Sequence, residues 1–117
     1  MNYRIDILPK FARELKRLSK KYRSMKQDYA NLLNELYASP TVGTDLGRGV
    51  RKVRMAISSK NKGKSHGARV ITFTYLLDEK NGVINLLFIY DKNERENLTM
   101  AEIDNLLKEV TLQIPKL

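Results

Sequence analysis

Ala68-Arg69-Val70-Ile71-Thr72-Phe73-Thr74-Tyr75-Leu76-Leu77 leads through Asp78-Glu79-Lys80-Asn81-Gly82 into Val83-Ile84-Asn85-Leu86-Leu87-Phe88-Ile89-Tyr90. The first run is rich in β-branched and aromatic residues, which fit a pleated, half-buried surface, and reads as a strand. Asn81-Gly82 in the polar connector is a strong hairpin signal. The second run is almost continuously apolar, the pattern of a central strand buried on both faces.

Upstream, Val53, Met55 and Ile57 alternate with Lys52, Arg54 and Ala56. This predicts another strand with a basic outer face. It joins the first of the two runs through Ser58 to Gly67, a lysine- and glycine-rich stretch without a hydrophobic residue, expected to be a loop that is mobile when unbound. Thr41 to Gly49 holds three glycines and also reads as a loop. At the N-terminal end Tyr3, Ile5 and Ile7 alternate with Arg4 and Asp6, a short strand that Pro9 stops.

Leu8, Phe11, Leu15, Leu18 and Tyr22 then follow at helical spacing, with Lys10, Arg13, Lys16, Arg17, Lys20 and Lys21 opposite. Ser24 with Gln27 fits a capping box for a second helix, lined by Met25, Tyr29, Leu32, Leu33 and Leu36 and ended at Ser39-Pro40. Near the C-terminal end, Thr99 with Glu102 forms another capping box, with Leu98 and Ile103 as its staple. Ile103, Leu106, Leu107 and Val110 stripe that helix, and Pro115 lies beyond it. The expected order is β-α-α-β-β-β-α. It describes one α+β domain over residues 1–117, with an antiparallel four-stranded sheet, a helical hairpin on one face and a C-terminal helix. The first strand is expected antiparallel beside the last strand or the second. The last helix is short, so the third strand is expected to leave apolar surface uncovered.

The chain has 117 residues, 42% hydrophobic and 30% charged, enough apolar material for a packed core. Without cysteine, disulfides, thiolate zinc sites and a cysteine nucleophile are excluded, and the single His66 excludes a multi-histidine metal site. No apolar run reaches the ~20 residues of a membrane helix. Charges at Arg4 and Asp6 stand where a signal peptide needs an apolar stretch, so the expected compartment is the cytoplasm.

The net charge is +9, unevenly spread. Residues 1–77 hold 17 basic and 5 acidic residues, whereas residues 78–117 hold 5 and 8. No acid lies between Asp45 and Asp78, a span that carries Arg48, Arg51, Lys52, Arg54, Lys60, Lys62, Lys64, His66 and Arg69. So one-signed a surface calls for an anionic partner; nucleic acid is the usual one, with an acidic protein or an anionic membrane as the alternatives. Lys52 and Arg54 leave the sheet on one face. Arg69 begins the next strand on a row otherwise apolar (Ile71, Phe73, Tyr75), which predicts a directed, partly buried guanidinium. It can serve a phosphate or pair with Asp91 or Glu94. His66 is a candidate general base, but sits in a loop with no nearby carboxylate to orient it. Lys92 and Glu94 stand at a strand end from which they can reach the sheet surface. No phosphate-binding loop, nucleophile elbow or magnesium carboxylate cluster is present.

Val50-Arg51-Lys52-Val53-Arg54-Met55-Ala56, Lys60 to Lys64, Gly67-Ala68-Arg69-Val70-Ile71 and Leu87-Phe88-Ile89-Tyr90-Asp91-Lys92-Asn93-Glu94 carry a resemblance. The chain resembles RelE/HigB-type toxins of bacterial type II toxin–antitoxin systems, in their HigB-like branch, over nearly its whole length. The resemblance implies the RelE-like fold and a ribosome-dependent mRNA endoribonuclease. In that chemistry the RNA 2′-hydroxyl attacks, a 2′,3′-cyclic phosphate is left, and neither metal nor small-molecule cofactor is needed. It implies mRNA, the ribosome and a cognate antitoxin of helix-turn-helix type as partners, and no membrane. Arg69 matches the transition-state arginine. Lys60, Lys62 and Lys64 match catalytic and phosphate-binding lysines. Lys92 and Asn93 fall where RelE proper has a lysine and an arginine, and Thr99 where it has a tyrosine. The expected catalytic set is therefore Arg69, Lys62, Lys92, Arg54 and His66, with Lys52, Lys60, Lys64, Arg51 and Arg48 binding RNA. A gyrase-directed ParE-like toxin and a non-catalytic RNA- or ribosome-binding protein are the alternatives.

Overall fold

The computed structural model describes residues 1–113. Its elements are β1 (Asn2–Ile7), α1 (Pro9–Lys21), α2 (Met25–Ala38), β2 (Thr44–Gly47), β3 (Val50–Met55), β4 (Ala68–Leu76), β5 (Asn81–Asp91) and α3 (Met100–Gln113). Two short 3₁₀ turns, Ser58–Lys60 and Lys64–His66, stand between β3 and β4. Pro115 falls outside the described residues.

One sheet runs β1-β5-β4-β3-β2. It has five strands and is mixed, not four and antiparallel: β1 lies beside β5, one of its two expected neighbours, but parallel to it. The cause is β2. Thr44–Gly47 was expected to be loop, yet it pairs antiparallel with β3 through Thr44↔Lys52 and Asp45↔Arg51. One added strand adds one reversal of direction, so every later strand runs opposite to the expectation and β5 becomes parallel to β1. As an edge strand, β1 also leaves Ile7 exposed.

The two sheet faces build two cores. On one, Phe11 and Leu18 of α1 and Met25, Leu32 and Leu36 of α2 pack on Val53, Met55, Val70, Ile84, Leu86 and Ile89. On the other, Ile103, Leu106 and Val110 of α3 pack with Leu8, Val50, Ile71, Leu87 and Tyr90. Each fully buried side chain of this kind contributes about 1.5–3 kcal/mol of transfer free energy. Helix α3 thus covers the face expected to stay open. Val70 and Ile71 are buried, Phe73 is half-buried, and only Leu76 and Leu77 at the hairpin end are exposed.

Two local readings change. The Ser24 hydroxyl does not cap α2; it donates to Asp28 and accepts from the Ser59 N–H at 2.9 Å. The hairpin turns at Asp78, whose carboxylate accepts the Lys80 and Asn81 N–H groups at 2.7 and 2.9 Å, while Asn81 and Gly82 already belong to β5. Gly82 is required for packing, since a Cβ there would lie 2.5 Å from the Tyr3 ring. The α3 capping box forms reciprocally, Thr99 N–H to Glu102 at 3.0 Å and Glu102 N–H to the Thr99 hydroxyl at 3.1 Å.

Candidate functional site

Alternation along β3 and β4 sends Lys52, Arg54 and Arg69 to the face that α3 shares, beyond the end of its apolar cluster. The register places Arg54 opposite Arg69, and Arg69 opposite Tyr90, in one row across three strands. Like charges facing each other across a strand pair are unfavourable. Here they persist with Arg69 only 5% exposed.

Among the described residues Arg69 has no carboxylate partner; the ion pair with Asp91 or Glu94 that its sequence position allowed does not form. Those acids are engaged elsewhere, Asp91 with Lys60 and Tyr22, and Glu94 with Arg17 and Lys21. Arg69 Nη1 instead donates to the carbonyls of Lys64 and Ala68, both at 3.0 Å, and Nη2 to that of Ser65 at 3.2 Å. A guanidinium carries five N–H donors. Its Nε–H and one Nη2–H are left without a partner among the described residues. Burial first, and the Arg54 charge second, pull the Arg69 pKa below the usual arginine value. Beside it, burial raises the Tyr90 phenol, and its hydroxyl has no hydrogen-bond partner among the described residues.

These side chains border a cleft of about 250 Å³ lined by Thr44, Lys52, Arg54, Arg69, Lys92, Glu96 and Asn97. Lys52 donates to the Asn97 side-chain carbonyl at 3.1 Å. Four cations meet one carboxylate there, and among the described residues none of the four forms an ion pair within 4.0 Å. Such a cavity suits an anion of phosphate size, recognised by a directed guanidinium and point-charge ammonium groups.

The other candidates disperse. Lys60 is buried, 8% exposed at its side chain, and paired with the fully buried Asp91 at 2.7 Å. It is therefore no surface RNA contact as it stands. Lys64 pairs with Glu35 of α2 at 2.9 Å and lines, with Arg54, a smaller cavity of about 130 Å³. Lys62 and His66 are exposed on the loop and do not line the cleft. Arg51, one residue out of phase with Lys52, shares the helical-hairpin face with Val53. Arg48 stands in the turn between β2 and β3 with φ 59° and bonds Asp104 of α3 at 2.8 Å. The loop expected to be mobile is tied down: Asp28 accepts the Ser58 N–H at 2.9 Å and the Ser58 hydroxyl, and Lys60 spans to the His66 carbonyl at 2.9 Å.

Thr44, Glu96 and Asn97 join the cleft without a motif to announce them. The one signal was position, since Glu96 and Asn97 lie in the same segment after β5 as Lys92. No group of three His, Cys, Asp or Glu residues is placed to hold a metal among the described residues. No helix among them is long and apolar enough to cross a membrane. No family model matches the chain.

Proposed function

We propose that this protein is a RelE/HigB-type toxin of a type II toxin–antitoxin module, a metal-independent, ribosome-dependent mRNA endoribonuclease of the cytoplasm. The observation that carries the reading is the buried Arg69, set opposite Arg54 without a counter-acid among the described residues, on the wall of a cationic cleft. A guanidinium fixed by three carbonyls meets developing charge on phosphorus without reorganising, which is the largest lever an active site has. The RNA 2′-oxygen forms a bond to phosphorus and the P–O5′ bond breaks. Glu96, the one carboxylate lining the cleft, takes the 2′-hydroxyl proton, and Lys92 protonates the departing 5′-oxygen. Lys52 and Arg54 hold the flanking phosphates. An acidic antitoxin inhibits by neutralising the same cleft, not by covering an apolar sheet face.

The test is induced expression with mapping of mRNA 5′ ends. The expected result is growth arrest with new 5′ ends in translated messages, both abolished by Arg69→Ala in a protein that still folds. Undiminished toxicity of a folded Arg69→Ala variant would falsify the assignment. A non-catalytic ribosome binder would instead show Arg69→Ala losing binding and translation arrest together, with no new 5′ ends in the wild type.

A further inference from the structure

A lysine in a glycine-rich, solvent-facing loop ordinarily stretches into water. Lys60 does the reverse. Its ammonium turns away from the cleft, donates to Asp91 at 2.7 Å and to the His66 carbonyl at 2.9 Å, and lies 5.2 Å over the Tyr22 ring. Asp91 is fully buried and also accepts the Tyr22 hydroxyl and the Asn93 N–H. A buried ion pair costs desolvation and is held only where its geometry and remaining hydrogen bonds are satisfied. This one is satisfied at every turn.

The residues it fixes are those that hold Arg69. The 3₁₀ turn Lys64–His66 offers three consecutive carbonyls: Lys64 and Ser65 accept from the Arg69 guanidinium, and His66 accepts from Lys60. The Lys92 N–H donates to the Gly67 carbonyl at 3.1 Å, so the chain next to Asp91 clamps the same turn from the other side while the Lys92 side chain lines the cleft. We propose that Lys60 is the positioning residue of the cleft: anchored on Asp91, it sets the carbonyl turn that aims the Arg69 guanidinium, and it contacts no RNA itself. The catalytic consequence rests on the ribonuclease reading above; the structural one does not.

The test uses the full chain as wild type, Lys60→Met, Lys52→Met and Lys60→Met in an Arg69→Lys background. Methionine keeps the apolar stem and removes the charge. The first measurement is the Nη–H NMR signal of Arg69, from the groups that donate to the Lys64 and Ser65 carbonyls, assigned by its disappearance in Arg69→Lys. It is expected to be sharp and slowly exchanging in wild type and Lys52→Met, and lost to exchange in Lys60→Met. The second is binding of a single-stranded RNA of about ten nucleotides as a function of salt. Lys52→Met should lower the slope of log K against log salt by about 0.7, one phosphate contact, and Lys60→Met should leave it unchanged. The third is ribosome-dependent cleavage. Lys60→Met should reduce kcat by about 10–100-fold with KM held, as 1 Å misplacements do, and should add nothing in the Arg69→Lys background.

An unchanged Arg69 signal in Lys60→Met overturns the proposal, as does a salt slope that falls as it does in Lys52→Met. Additive loss in the Arg69→Lys background overturns it too. If the wild type cleaves nothing, the ribonuclease reading fails, and the first two measurements still decide the role of Lys60. If Lys60→Met does not fold, Lys60→Met combined with Asp91→Asn, which removes the donor to the turn without leaving a buried carboxylate unpaired, is put through the same measurements against the same criteria.

Discussion

Neutralising Arg54 as Arg54→Gln should stabilise the fold and weaken RNA binding together. The Cβ atoms of facing residues on an antiparallel pair lie about 5 Å apart. Two unit charges about 6 Å apart repel by ~0.7 kcal/mol in bulk water and by ~2.8 kcal/mol at an effective dielectric of 20. Arg54 is exposed and Arg69 is buried, so the relevant screening lies between these limits and toward water. About 1 kcal/mol of repulsion should be relieved, a rise of ~4 °C in Tm for a domain of this size. Glutamine retains the stem over the strand, and the Arg54 guanidinium has no ion pair among the described residues to lose. On the proposed reading the same change removes one phosphate contact, so the salt slope of single-stranded RNA binding should fall by about 0.7. Calorimetric melting and salt titration of binding, on one preparation, read both arms. A lower Tm would show that the arginine pair is not electrostatically strained. An unchanged salt slope would show that the cleft is not where the RNA backbone lies.

Gly67→Ala should disable the protein more severely than its size suggests, because the added Cβ would overlap the Met55 carbonyl oxygen, which is backbone and cannot swing away. Gly82→Ala meets the side chain of Tyr3 instead, so its destabilisation, about 1–3 kcal/mol, should be largely recovered by Tyr3→Ala in urea melts. In acid, the Glu102 carboxyl, held down to about 2 by Arg95 first and the Thr99 N–H next, contributes stability above its unfolded value of about 4.3 that is lost as pH falls toward 2. It is too exposed for this to exceed ~1 kcal/mol, so the acid limb should flatten only slightly in Glu102→Gln. For Asp91, burial raises the carboxyl but the bonds from Lys60, Tyr22 and the Asn93 N–H outweigh it, so it too is stabilising at neutral pH and destabilising once protonated. Cleavage should be insensitive to EDTA titrated against excess magnesium, which strips zinc and manganese while sparing ribosomes. A loss that zinc or manganese restored would overturn the metal-independent chemistry.

Period-2 and period-3.6 patterns revealed the strands and helices because each element buries a face, and burial writes that period into the sequence. Strand β2 escaped for the same reason. Thr44-Asp45-Leu46-Gly47 is a short edge strand with little to bury and reads as loop, and one unseen strand was enough to invert the predicted direction of β1 against β5. The basic cleft was legible in Lys52, Arg54 and Arg69 because alternation fixes the face and the hairpin register follows. Lys60 was not, since its partner Asp91 lies 31 residues on and nothing local separates a buried lysine from its solvated neighbours Lys62 and Lys64. Ser24 misled in a similar way. The residue that competes for its hydroxyl, Asp28, is within the helix, but the loop serines that complete the cluster come from Ser58 and Ser59.

The placement of the acids argues that the cleft's charge is specific to that site and not the residue of a basic composition. Of 13 Asp and Glu residues, eight sit in ion pairs that do not involve a cleft-lining cation. Asp28, Asp45 and Asp78 spend their carboxylates on backbone N–H groups and serines. That leaves Glu79 at the hairpin and Glu96 in the cleft. Lys21, Arg17 and Lys64 find acids on other elements, whereas among the described residues Arg54 and Arg69, which face each other and repel, do not. A fold free to relax would set an acid opposite Arg69, as it sets Asp91 against Lys60. Instead the guanidinium is held by carbonyl dipoles that neutralise none of its charge. Binding sites commonly accept such a loss of stability, because donors already arranged and desolvated need no further ordering when an anion arrives. Hence the stability and affinity arms of the Arg54 experiment must move in opposite directions, and an anion that occupies the cleft should raise the melting temperature of the wild type more than that of Arg54→Gln.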